Sequence, residues 1–156
     1  MKILNRLLIA CVFVGSVFSA TSCKEEIIAT PAPEKTLYER LGGINAISAV
    51  TDKFLSFVVA DNVINAQFAA TIAVPSRVQL LRNNLIDQIC QGAGGPCIYK
   101  GQTMLASHTG MNITQAQFNA LVGDLVKALD FYNVPTKEKN DLLAILGPMQ
   151  SDIVGK

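Results

Sequence analysis

Met104-Leu105-Ala106-Ser107-His108-Thr109-Gly110 is a short stretch that ends in a histidine and a glycine, just ahead of a strongly periodic helical pattern. His108 is the only imidazole in 156 residues, so any histidine-dependent chemistry must use it. A Ser-His-Asp or Cys-His arrangement needs one histidine, and so does a single axial ligand to a haem iron. A zinc or di-iron site built on several histidines is excluded. On position alone, a surface or satisfied structural histidine is the alternative reading.

Working outward, the periodicity is helical on both sides. Thr114 caps a long helix carrying Phe118, Leu121, Val122, Leu125 and Leu129 on one stripe. Pro135-Thr136 opens the last helix, with Leu142, Leu143, Leu146, Met149 and Ile153, and Pro148 is expected to kink it or expose a carbonyl. Upstream, Ser76 after Pro75 is expected to cap a helix bearing Val78, Leu81, Leu85 and Ile89, which Gly92 to Pro96 ends. Residues 62–75 are less regular, with Phe68 as their main apolar anchor. Ile44, Ile47, Thr51, Phe54, Leu55 and Val58 mark a further helix up to Asp61-Asn62. Thr36-Leu37-Tyr38-Glu39 is a capping box that opens a short first helix, closed by Gly42-Gly43. No strand alternation competes. The expectation is an all-α domain over 36–154, about 120 residues, long enough to bury its own core.

The N-terminus reads differently. Lys2 and Arg6 precede an apolar core, Leu7 to Ala20, of signal-peptide length and too short to span a bilayer comfortably. Small residues and then Cys23 follow. Residues 1–22 resemble a bacterial lipoprotein signal peptide, which implies that Cys23 is lipidated and becomes the mature N-terminus. Ala20 stands where that pattern usually has Leu, Val or Ile; ordinary cleavage with a free Cys23 is the alternative. Residues 23–35, interrupted by Pro31 and Pro33, read as a lipid-anchored tether. The expected location is the bacterial cell envelope, with the membrane as a partner through the lipid. Losing Lys2 and Arg6 from 13 basic side chains leaves 11 against 12 acidic ones, a net of −1, with no electrostatic footprint for nucleic acid.

Cys90 and Cys97 flank the glycine-rich turn Gln91-Gly92-Ala93-Gly94-Gly95-Pro96. An oxidising envelope permits a disulfide there, worth about 2–3 kcal/mol for so short a loop. Two buried or free thiols are the alternative. No second ligand pair accompanies them, so they do not read as a zinc site.

From Thr36 to Val154 the chain resembles a truncated haemoglobin of the first group. The carriers are Leu37-Tyr38-Glu39-Arg40-Leu41-Gly42-Gly43, Gly94-Gly95-Pro96-Cys97-Ile98-Tyr99-Lys100-Gly101, Met104 through His108 with Gly110, Ile113-Thr114 through Phe118 with Leu121-Val122, and Val134-Pro135. Their order and spacing together are specific. The resemblance implies a two-over-two helical sandwich enclosing haem b. His108 is then the proximal ligand to the iron, its other ring nitrogen donating to a backbone carbonyl. Met104, one turn earlier, packs on the porphyrin. Tyr99 matches a tyrosine that reaches a haem propionate, and Phe68 matches a phenylalanine that wedges the haem.

The distal side departs from the family. Where many members have Phe-Tyr in the second helix, this chain has Phe54-Leu55. The two distal-helix positions facing the iron fall on Leu81 and Leu85, and the propionate lysine on Asn84. Arg77, Arg82 and Lys100 are candidate substitutes for that lysine. An apolar pocket lacks a donor for dioxygen, a hydrogen bond worth about 1–3 kcal/mol. Gln88 is the nearest polar candidate.

The reading these features imply is a haem globin that reversibly binds a diatomic gas: dioxygen, nitric oxide or carbon monoxide. The alternatives are nitric oxide dioxygenation or peroxidase-like turnover with a separate reductase, and a haem-free envelope protein used for interaction. The chain carries no flavin or nucleotide motif for self-reduction.

Overall fold

The computed structural model describes residues 33–156. The expected signal peptide, Cys23 and most of the expected tether lie outside the described residues. Among the described residues seven α-helices follow one another: α1 (Leu37–Arg40), α2 (Gly43–Ala60), α3 (Asn65–Ile72), α4 (Pro75–Gly92), α5 (Met104–His108), α6 (Gln115–Phe131) and α7 (Thr136–Leu146). A 3₁₀ helix, Gly147–Asp152, ends the series. The fold is all-α, with no strand among the described residues.

Local chemistry sets the boundaries. Thr36 and Thr114 close full capping boxes with Glu39 and Gln117, and Thr103 accepts from the amide of Ala106 at the start of α5. Gly42 and Gly43 both take positive φ, +92° and +73°, which lets the chain reverse between α1 and α2. Tyr38 supports this turn by accepting from the amide of Ile44 at 3.1 Å. Three elements differ from expectation. Residues 65–72 form a helix, although no side-chain cap starts it and none of its residues is buried. Ser76 does not cap α4: Pro75 already occupies the first turn, where its missing N–H costs nothing, and Val74 is the cap. The last helix does not run on to Ile153. It tightens into the 3₁₀ turn at Gly147-Pro148, because Pro148 has no N–H to extend the α pattern.

α2 is the centre of the domain, packed between α4 and α6. Its face of Ile47, Val50, Phe54 and Val58 meets Ile86 and Ile89 of α4, Leu125 and Leu129 of α6, and Leu142 of α7 in one core. Each such buried aliphatic side chain stabilises the fold by about 1.5–3 kcal/mol. A second, smaller cluster of Ile113, Phe118 and Ile153 lies apart, with Met104, Val122 and Met149 packed against it. The chain end is stitched to this cluster: Asn112 donates to the carbonyl of Lys156 at 2.7 Å and Gly155 to that of Ile113 at 2.9 Å. Thus α5 does not rest on the main core. It rests on a satellite cluster and on the 3₁₀ helix.

Cys90 and Cys97 are joined by a disulfide, Cα to Cα 5.7 Å. It ties the end of α4 to the loop that runs on to α5. Within that loop Gly95 is pressed against Cys90 and the ring of Tyr38, and a Cβ there would fall 2.5 Å from the ring. Only glycine fits this approach.

Candidate functional site

His108 is the last residue of α5 and is half-buried. Its Nδ1 lies 2.7 Å from the carbonyl oxygen of Met104, one turn back, and 3.0 Å from Ser107 Oγ. A carbonyl only accepts, so the proton of the neutral ring sits on Nδ1. Nε2 keeps its lone pair and has no hydrogen-bond partner among the described residues. This is the tautomer a metal-ligating imidazole needs, with the second nitrogen held by a backbone acceptor. The contact is local: the ring folds back over its own turn onto the carbonyl four residues earlier. Ser107 carries no signal of its own in the sequence; its hydroxyl also sits within 3.1 Å of the carbonyls of Thr103 and Met104, bracing the same turn.

The apolar residues expected around a haem are placed unevenly. Phe54 is buried in the main core, and Phe68 and Leu85 are half-buried against it. Leu55 and Leu81 are half-buried yet pack into neither cluster. Met104 belongs to the satellite cluster. Gln88, the one polar candidate on α4, turns its amide toward sulfur: Nε2 lies 3.5 Å from Met104 Sδ and 3.4 Å from Met149 Sδ. These contacts join the distal helix to α5 and the 3₁₀ helix. Sequence periodicity holds no signal for them, because the sulfurs lie 16 and 61 residues away.

The polar rim is largely committed. Tyr99 donates its hydroxyl to the carbonyl of Gln102 at 2.7 Å, and burial pushes the phenol up from its ordinary value. A propionate contact at that hydroxyl therefore requires an exchange of partners. Arg82 grips Asp52 with two donors, Nη2 to Oδ2 at 2.8 Å. The Arg82 guanidinium holds the Asp52 carboxyl below the usual carboxylate range. Arg77 turns to the carbonyl of Ala70. Lys100 is exposed, with no ion pair among the described residues, and Asn84 is half-buried.

An imidazole whose Nδ1 is held by a backbone carbonyl, on a short helix of an all-α domain, has the orientation of a metal ligand. The model of the family described as bacterial-like globin matches residues 36–154. A group 1 truncated haemoglobin of Tetrahymena pyriformis is 30% identical over 122 residues, covering 78% of this chain and 97% of that protein. The group 1 truncated haemoglobin GlbN of Mycolicibacterium paratuberculosis is 28% identical, over 78% of this chain and 86% of its own length. Among solved structures, the Fe(III) form of the Tetrahymena pyriformis protein superposes with a TM-score of 0.71 at 29% identity, covering 78% of this chain and all of that one. The chain belongs to the bacterial-like globin family and is similar throughout its domain to the truncated haemoglobins of the first group.

Its cofactor is haem with iron. The residues present fit that group. The donor set is one imidazole whose Nε2 has no hydrogen-bond partner among the described residues, and the chain offers apolar, half-buried Leu55, Leu81 and Leu85 as expected walls. When bound, the haem would supply an iron centre for a gas ligand, and His108 would be the residue to offer it a nitrogen.

Proposed function

We propose that His108 is the axial ligand and that the domain reversibly binds a diatomic gas at a distal face without hydrogen-bond donors. The supporting observation is the distal side-chain set: Leu55, Leu81 and Leu85 carry no donor, and the Gln88 amide is engaged by two methionine sulfurs. Dioxygen gains from a donor because charge builds on it when it binds, whereas carbon monoxide needs none. Dioxygen release is therefore fast, and the ratio of affinities favours carbon monoxide. Nitric oxide dioxygenation or peroxidase chemistry depends on polar distal groups that these positions lack, and requires a separate reductase. Stopped-flow release rates for both gases from the unmodified protein test this reading. Fast dioxygen release with ordinary carbon monoxide release supports it, and slow dioxygen release overturns it.

The N-terminal segment adds a location. Lipidation at Cys23 after removal of residues 1–22 would hold the globin at a membrane of the bacterial cell envelope. Metabolic labelling with a fatty acid checks this: Cys23→Ser should abolish the label, and equal label in both proteins would exclude lipidation there.

A further inference from the structure

A cavity of about 370 Å³ opens between the C-terminal end of α2 and the middle of α6, lined by Phe57, Ala60, Asp61, Asn62, Asp124 and Lys127. The expected haem contacts use none of these residues. Its unusual member is Asp124, whose side chain is 1% exposed. One carboxylate oxygen, Oδ1, accepts from Lys127 Nζ at 2.8 Å. The other, Oδ2, is buried with no hydrogen-bond partner among the described residues. A buried carboxylate oxygen without a donor is costly, and native structures leave few of them. The Lys127 side chain is 60% exposed, so this ammonium reaches in from solvent and satisfies one oxygen only.

The surroundings favour a cation. Asp61 closes α2, where the helix end carries partial negative charge. Its Oδ1 accepts from the amide of Val63 at 2.8 Å, which leaves Oδ2 available. Phe57 presents a ring to the cavity, and Lys53 Nζ already lies 4.9 Å from the centroid of that ring. That ammonium lies nearer still to the ring of Phe131, at 4.1 Å, so Lys127 is the one lysine lining the cavity itself. A bare metal ion suits the cavity less well. No group of three His, Cys, Asp or Glu side chains converges among the described residues, and the volume is that of an organic molecule.

We propose that this cavity binds a small organic cation, an alkylammonium or alkylguanidinium. Its N–H donors satisfy Asp124 Oδ2 and Asp61, its alkyl part lies along Phe57, and Lys127 swings outward to admit it. Ring and carboxylate together select a cation carrying apolar surface.

Calorimetric titration of the haem-loaded protein with butylammonium and butylguanidinium, and with butanol as the neutral control, tests this. Both cations should give saturable heat and butanol none. Asp124→Asn should weaken cation binding by about tenfold or more, since it removes the charge and keeps the shape. Lys127→Met should strengthen it several-fold by removing the resident competitor. The haem absorption spectrum should stay unchanged throughout, which separates this site from amine ligation to iron. Absence of saturable heat from either cation, equal binding of butanol, or unchanged affinity in a folded Asp124→Asn variant would overturn the proposal. Should Asp124→Asn fail to fold, Asp61→Asn at the half-exposed helix end replaces it: several-fold weaker binding sustains the site, and unchanged binding removes it.

Discussion

The two helices that carry the proposed proximal and distal residues, α5 and α4, are built on opposite principles. The proximal wall is α5, five residues with no buried side chain, held by a Thr103 cap, a serine brace and a satellite cluster. The distal wall is α4, eighteen residues with Ile86, Ile89 and Cys90 sunk in the main core. Hydrogen bonds specify the proximal side, where one ring must face one way. Packing specifies the other side, where Ile86, Ile89 and Cys90 fix α4 in the core. The contrast separates two properties that a haem protein can tune apart. On the proposed assignment, axial ligation would depend on a few polar contacts of a weakly packed helix, and gas preference on which side chain a well-packed helix pair presents.

The largest expected effect breaks the proximal side alone. His108→Ala should abolish axial ligation, because no second imidazole exists to replace it. The ferrous absorption spectrum and the rate of haem loss to a scavenger protein check this; unchanged values in the variant would refute the assignment. α4 and the main core should persist, so far-ultraviolet circular dichroism of the apoprotein should change little.

The next effect concerns the disulfide between the end of α4 and the loop that runs on to α5. Cys90→Ser with Cys97→Ser should cost about 2–3 kcal/mol of unfolding free energy, read from denaturant melts. Haem loss should accelerate as well, since the loop leading to α5 is no longer anchored to α4. A double variant as stable as the parent would show that the tie adds nothing.

Distal specificity comes third. Leu55→Tyr should place a donor in the pocket and slow dioxygen release by roughly tenfold, the factor for about 1.4 kcal/mol. Carbon monoxide release should hardly change. Parallel slowing of both gases would point to a blocked path rather than a hydrogen bond.

The smallest effect lies on the outer face of the distal wall, where Asp52 of α2 and Arg82 of α4 pair. The folded-state carboxyl titrates below its unfolded value of about 3.9, so its contribution is present above that pH and is lost as pH falls through the lowered folded value. The pair is largely exposed, so Asp52→Asn should cost under about 1 kcal/mol near neutral pH, and less in high salt. Melts at pH 7 and pH 3 check this: the variant should lie closer to the parent at the lower pH.

Much of this architecture is legible in the sequence because it is written in local chemistry. Thr36 and Thr114 each precede an apolar period, and each caps a helix; Thr103 also caps, ahead of a helix too short to show a period. His108 stands out because it is alone. α3 does not, because Asn65–Ile72 carries no cap, no acidic start, no basic end and no buried stripe; its shape comes from packing on α2 and α4. Ser76 has the chemistry of a cap, and the fixed φ of Pro75 makes one unnecessary. Gln88 and Asp124 are harder still. Both sit on amphipathic helices as ordinary polar residues, and only the tertiary fold gives one two sulfurs and the other a buried, half-paired carboxylate.

A distal face without donors has a direct readout in the infrared C–O stretch of the ferrous carbon monoxide complex. A nearby donor lowers that frequency by drawing charge onto the ligand oxygen. A donor-free face should give a single band at the high-frequency end, unmoved by Gln88→Leu and shifted down by Leu55→Tyr. A low-frequency band in the unmodified protein that rises on Gln88→Leu would show that the amide leaves its sulfurs for the ligand, and would contradict a donor-free distal face.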